Sequence, residues 1–192
     1  MSTDKKSSSG KSIEISQAEI FERLQCSSTF SWRVYRERDG IRHIGILIRF
    51  NGKPFCTVDF GVENLCLQCF IACESKVRIH KVPLDFESRV DCEGVMECLN
   101  TTDESLRREA KEKIRTFVAR NREVYSLLRS NCRDNTRDSM NLVCSSGQCN
   151  GVNWRASRQM LRRTQSSDRN LFFVAASGAV ILVLYWLLRR YK

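Results

Sequence analysis

Residues 42–60 read RHIGILIRFNGKPFCTVDF, two runs rich in β-branched and aromatic residues on either side of Asn51-Gly52. Asn-Gly is the strongest short hairpin signal in a sequence. The favoured two-residue turn needs positive φ at both central positions, and these two residues tolerate it. Arg42 to Arg49 and Lys53 to Phe60 are therefore predicted to be neighbouring antiparallel strands. Working outward, Trp32 to Arg36 is a third strand, and Lys76 to Leu84 (KVRIHKVPL) alternates as a further strand of the same sheet would. Upstream, Ile15, Ala18, Ile20, Phe21 and Leu24 fit one face of a short helix only loosely. After Asn100 the period changes. Thr101 and Glu104 have capping-box spacing, and Leu106, Ala110, Ile114, Phe117 and Val118 continue an apolar face, which predicts a helix from about Asp103 to Arg120. A second helix is predicted to open at Asn131-Cys132 and run to about Val143, since Asn is a favoured cap and neither glycine nor proline interrupts. A small antiparallel sheet followed by helices makes an α+β domain.

At 192 residues and 22.3 kDa, the chain is long enough for one ordinary domain with attachments. With 28% charged residues and 2 prolines it is neither collagen-like nor disordered throughout. A formal net charge of +10 calls for an anionic partner, either nucleic acid or an acidic membrane surface. Leu171 to Leu188 (LFFVAASGAVILVLYWLL) decides between them. This run carries no charge and no proline, and at ~1.5 Å per residue it reaches roughly 27 Å, close to the thickness of a bilayer's hydrocarbon core. Tyr185 and Trp186 suit the interface, and Arg189, Arg190, Tyr191 and Lys192 follow. The expectation is a single-pass tail anchor with its body in the cytosol, on the mitochondrial outer membrane, peroxisomes or endoplasmic reticulum. Thiols there stay reduced. The stretch NWRASRQMLRR before it is expected to lie on anionic headgroups, with Trp154, Met160 and Leu161 dipping into the interface. Much of the excess charge is then used at the membrane, so no nucleic acid is expected. The opening MSTDKKSSSGKS lacks the apolar run of a secretory signal and reads as a disordered lead. The expected organisation is a lead over 1–12, a domain over 13–152, a basic connector over 153–170 and the span over 171–188.

Among ten cysteines, Cys66, Cys69 and Cys73 cluster most tightly, but Leu, Gln, Phe, Ile and Ala separate them where a zinc site would have turn residues. They read as small buried hydrophobes, with no metal. Cys144 and Cys149 flank a predicted loop, where acylation near a membrane has no support beyond position. Cys132 differs. It falls at a predicted helix start, where the helix dipole and unpaired amides favour thiolate over thiol. The chain has two histidines, His43 and His80, and His43 opens the strand HIGILI. A thiol at a helix start facing a histidine on a neighbouring strand is the papain-like arrangement, in which the imidazole takes the thiol proton and later protonates the leaving group. His80, on the face of its strand shared with Arg78, reads as a solvent-facing residue.

The order of His43 in HIGILI, an amphipathic helix, YSLLRSNC over Tyr125 to Cys132 and an apolar tail resembles the lecithin:retinol acyltransferase-like family. That family includes small phospholipase A and acyltransferase enzymes. The resemblance covers roughly Phe30 to Val143 plus the tail. It implies a circularly permuted papain-like domain, Cys132 as nucleophile, His43 as base, a phospholipid substrate, and no cofactor. Two departures stand out. The family's Asn-Cys is usually followed by Glu-His-Phe, where this chain has Arg133, Asp134 and Asn135. The family also carries a second histidine on the return strand of the hairpin, where this chain has Phe55, Cys56, Thr57, Val58 and Asp59. Asp59 is the candidate third residue, ahead of Thr57 and Cys56, because a carboxylate can orient an imidazolium. A strict two-residue turn would pair Ile44 with Asp59 and put the carboxylate on the wrong face; a longer loop or a bulge would bring it round. The alternative expectation is a catalytically weakened, tail-anchored adaptor binding lipid or protein, with a cytosolic cysteine protease third.

Overall fold

The computed structural model describes residues 13–38, 43–62, 73–94, 96–119, 124–126, 131–144 and 155–163, together with Ser177, Trp186 and Arg189. In chain order the elements are β1 (Ile13–Glu14), α1 (Gln17–Gln25), β2 (Thr29–Glu37), β3 (Ile44–Phe50), β4 (Lys53–Gly61), β5 (Cys73–Glu74), β6 (Lys76–Lys81), β7 (Val90–Cys92), β8 (Glu97–Asn100), α2 (Glu104–Val118), β9 (Val124–Tyr125) and α3 (Cys132–Cys144). A fourth helix, α4, covers residues 155–163. The fold is α+β. Seven strands form an antiparallel sheet in the order β1-β6-β4-β3-β2-β7, with β8 also paired to β2, and β5 pairs with β9 in a separate ribbon.

The β3–β4 turn is the expected one, with φ of 49° at Asn51 and 72° at Gly52. The Asn51 side chain also accepts hydrogen bonds from the amides of Ser28 (2.9 Å) and Thr29 (3.1 Å), tying the turn to the start of β2. β7 and β8 were not expected. Their pairing with β2 makes it the strand on which both edges of this side of the sheet are hung. β6 stops at Lys81, short of the expected Leu84.

One face of the sheet carries Trp32, Val34, Ile44, Ile46, Ile48, Cys56 and Val58, which pack with Ile20, Leu24, Ile114, Phe117 and Met140 of the helices into the main core. The Trp32 and Phe117 rings meet edge to face at 5.0 Å. Lys113 is buried in this layer, with Nζ 2.9 Å from Glu97 and 3.1 Å from Glu109. Trp32 Nε1 donates to the same Glu97 carboxylate at 3.3 Å. The opposite face holds Tyr35, Leu47 and Val90 under the segment that contains Phe86.

Helix ends follow local chemistry, with one reassignment. Asp103, not Thr101, caps α2, its Oδ1 accepting from the amides of Ser105 (2.8 Å) and Leu106 (3.2 Å). The Thr101 hydroxyl donates instead to the Ser27 carbonyl. α1 opens with a full capping box between Ser16 and Glu19.

The basic connector behaves differently from the expectation. Met160 and Leu161 are 5% and 4% exposed and belong to the main core, while the Ser157 hydroxyl lies 3.1 Å from Met96 Sδ. Arg155, Arg158, Arg162 and Arg163 face outward. The stretch is amphipathic, and a protein core is available to its apolar side. Among the described residues no helix is long and apolar enough to cross a membrane. The run 171–188 lies outside them apart from Ser177 and Trp186. Cys66, Cys69, Cys149 and Trp154 also lie outside; Cys73 is half-buried in β5 beside Phe60. Cys144 is disulfide-bonded, against the expectation of reduced thiols.

Candidate active site

The three singled-out side chains come from three elements. His43 directly precedes β3, and its carbonyl accepts a hydrogen bond from the Glu37 amide at 2.9 Å, fixing the residue beside the end of β2. Cys132 is the first residue of α3. Asn131 caps that helix, its Oδ1 accepting from the amides of Arg133 (3.0 Å) and Asp134 (3.2 Å), while its carbonyl accepts from Asn135. The cap therefore takes two of the first-turn amides that were expected to be unpaired beside the thiol. The amide of Cys132 itself belongs to the same helix end, one position before the amides that a cap side chain accepts from.

Asp59 reaches His43 because of one extra residue. Phe50 pairs with Lys53 and Arg49 with Pro54, but Ile48 pairs with Cys56, which leaves Phe55 as a β-bulge. Beyond it Ile46 opposes Val58, and one step further along the same register Asp59 stands opposite Gly45. Side chains two positions apart share a face, so Asp59, Gly45 and His43 project together. The two-residue turn is retained, and the bulge supplies the shift.

His43 Nε2 lies 3.1 Å from Asp59 Oδ1, within ion-pair distance although the N–H is not aimed straight at the oxygen. The Cys132 thiol lies close enough to the same ring to act on its charge. With Nε2 toward Asp59, Nδ1 is the nitrogen left for the thiol proton. Burial works against a charged imidazole, but the Asp59 carboxylate, and after it Cys132, more than offset this and hold His43 well above the usual histidine range. Burial likewise works against the Asp59 carboxylate. His43 and Arg78 outweigh it and bring Asp59 down to about 2. Asp59 is 3% exposed and Cys132 8%, whereas the His43 side chain keeps 19%, so the ring can be approached from outside.

Two neighbours escaped the sequence reading. Arg78 of β6 stands opposite Asp59 and ion-pairs with it at 2.8 Å. Tyr35 of β2 lies opposite Gly45 and is pushed well above the usual tyrosine range by burial and then by the Asp59 charge. A Cβ at Gly45 would come within 2.8 Å of the Tyr35 ring, so the glycine makes room for it. Neither could be placed without knowing which strands adjoin β3 and β4. His80 lies on the Arg78 face as expected, opposite Thr57, but it is half-buried and its Nδ1 is enclosed, so it is not the solvent-facing residue anticipated. Thr57 is buried on the site's face, and Cys56 points to the core, where burial pushes its thiol far up. Among the described residues no group of His, Cys, Asp and Glu could hold a metal ion.

The arrangement can take a proton from a thiol, hold it on an imidazolium stabilised by a buried carboxylate, and return it to a leaving group. No family model matches the chain, and no curated protein or solved structure matches it.

Proposed function

We propose that the protein is a membrane-tethered thiol acyltransferase or phospholipase A acting on glycerophospholipids, with the circularly permuted papain-like organisation of the lecithin:retinol acyltransferase-like enzymes it resembles. The observation that carries the reading is the meeting of Cys132, His43 and Asp59, with His43 Nε2 3.1 Å from the carboxylate. In the proposed cycle His43 takes the Cys132 proton, and the thiolate attacks a fatty ester carbonyl, forming the S–C bond of a tetrahedral intermediate. Collapse breaks the ester C–O bond, and the lysolipid oxygen leaves with the proton from His43. Water, deprotonated by His43, then hydrolyses the thioester to fatty acid and free thiol; an amine or hydroxyl acceptor in its place gives acyl transfer. The Cys132 amide is a donor for the oxyanion. The apolar run 171–188 supports the lipid substrate, as a span there would hold the domain where ester is concentrated.

The adaptor alternative would be favoured by an imidazole with no polar neighbour besides the thiol. Asp59 at 3.1 Å weighs against it. The test is incubation of the full chain, in mixed micelles, with phosphatidylcholine labelled in its acyl chains, followed by mass spectrometry of the intact protein. The expected product is one acyl group on Cys132, absent from Cys132→Ser, which keeps the helix start but is a far weaker nucleophile. A lipid adduct on another cysteine that persists in the mutant would refute the assignment.

A further inference from the structure

We infer that Arg78 is a positioning residue of this site: its guanidinium fixes the Asp59 carboxylate and offsets part of its charge, so that the imidazole beside it can both accept a proton and release it. The inference rests on the triad reading above. Arg78 Nε and Nη2 both donate to Asp59 Oδ1, at 3.0 and 2.8 Å, while Nη1 donates to the Val62 carbonyl at 3.3 Å. The same Oδ1 faces His43 Nε2 at 3.1 Å. One oxygen is thus shared between a permanent cation and a titratable one. The guanidinium has little freedom: register sets it opposite Asp59, the Val62 carbonyl holds its far side, and a Cβ at Gly61 would lie 2.6 Å from Nη2. Each of its three nitrogens is engaged inside the protein, so it offers no open fork to a substrate phosphate.

The physical need is plain. A buried carboxylate with no other partner would act on the imidazolium with its full charge, and an acid held that tightly is slow to protonate a leaving group. Among the described residues, the charged or titratable groups that act on His43 or on its partners Asp59 and Cys132 include Glu37 and Tyr35 from β2, Asp59 from β4, Arg78 from β6 and Cys132 from α3. Of these five, Arg78 is the one permanent cation, and it acts on the imidazole chiefly through Asp59.

The test is a titration of the histidine ring signals by NMR in the full chain, made practical by there being two histidines, with His80→Gln assigning the remaining signal to His43. In Arg78→Gln, which keeps a donor but no charge, and in Arg78→Met, the His43 midpoint should rise by about one unit. Arg78→Lys should leave it near the wild-type value. The alkaline limb of the kcat/KM profile should move up with the midpoint in the neutral variants, and kcat should fall. An unchanged or lowered midpoint in either folded neutral variant would overturn the inference; if Arg78→Met does not fold, Arg78→Gln decides. A shifted midpoint in a chain whose wild type turns over no lipid would leave Arg78's role standing and remove the function proposed above.

Discussion

His43 and His80 separate cleanly once their neighbours are known. His43 has a carboxylate and a thiol; His80 lies opposite Thr57 with Nδ1 enclosed and, among the described residues, no such pair. His43→Ala should lower turnover by about two to four orders of magnitude, the range for losing a general base, and His80→Ala should change it little; equal losses in a lipid-release assay would mean the base has been misassigned. Asp59 makes a prediction that needs no substrate. Its folded-state value, about 2, lies below the unfolded value near 4. The stability it contributes is therefore complete above pH 4 and is lost as the pH falls from about 4 to about 2. Urea unfolding of wild type and Asp59→Asn should show a gap that narrows by roughly 2 kcal/mol across that window. His43 is shifted the other way, so its share is complete below about pH 6.5 and is lost as the pH rises through its raised folded value. Both describe one ion pair, so they are not added.

At the scale of elements, α2 is held chiefly by its apolar face. Phe117 is fully buried against Trp32, and Phe117→Ala should cost about 3–5 kcal/mol in chemical denaturation. A loss below 1 kcal/mol would show that the ring contact is not what docks the helix. The hairpin and the starts of α2 and α3 were legible because each is written locally, in Asn-Gly, in a 3.6-residue apolar period and in Asn before Cys. The edge strands β7 and β8 were not. VDC and ECLN carry too little apolar content to signal a strand, and they form because β2 offers them backbone partners. The Thr101–Glu104 spacing pointed to the wrong cap for α2, and Asp103 takes that place because the Thr101 hydroxyl finds a carbonyl across the fold. α1 is marked locally by the capping box of Ser16 and Glu19 more clearly than by its loose apolar face. The bulge had one local sign. Pro54 removes a ladder N–H from a strand flanked on both sides, and proline inside such a strand marks a bulge. Cys132, His43 and Asp59 could thus be named in advance, while Arg78 depended on which strand adjoins β4.

For the molecule as a whole, the late helix α4 changes where the folded unit ends. Met160 and Leu161 are buried in the main core, so a fragment stopped at Val152 would leave part of that core uncovered. Such a fragment should be less stable than one carried through residue 170 by about 3–5 kcal/mol, the value of burying two such side chains; equal urea midpoints would show that α4 adds nothing. Deleting 171–192 should leave the domain folded and release it from membranes, with any residual binding falling as salt is added, because it would rest on the outward arginines of α4. Full retention in high salt would place the attachment in the domain itself.

The Phe55 bulge makes the length of one hairpin a matter of parity. The chain between the turn and Asp59 is one residue longer than a plain ladder opposite Gly45 needs, and the bulge takes up that residue; were the same strand to pair without it, Asp59 would face the core and Val58 the site. Deleting Phe55 should therefore straighten the ladder and leave Asp59 opposite Gly45, whereas a one-residue insertion between Cys56 and Asp59 that no second bulge absorbs should turn Asp59 to the core while Cys132, His43 and Asp59 all remain in the chain. Substitution scans would pass over this dependence, because every catalytic letter can be intact while the strand is out of phase.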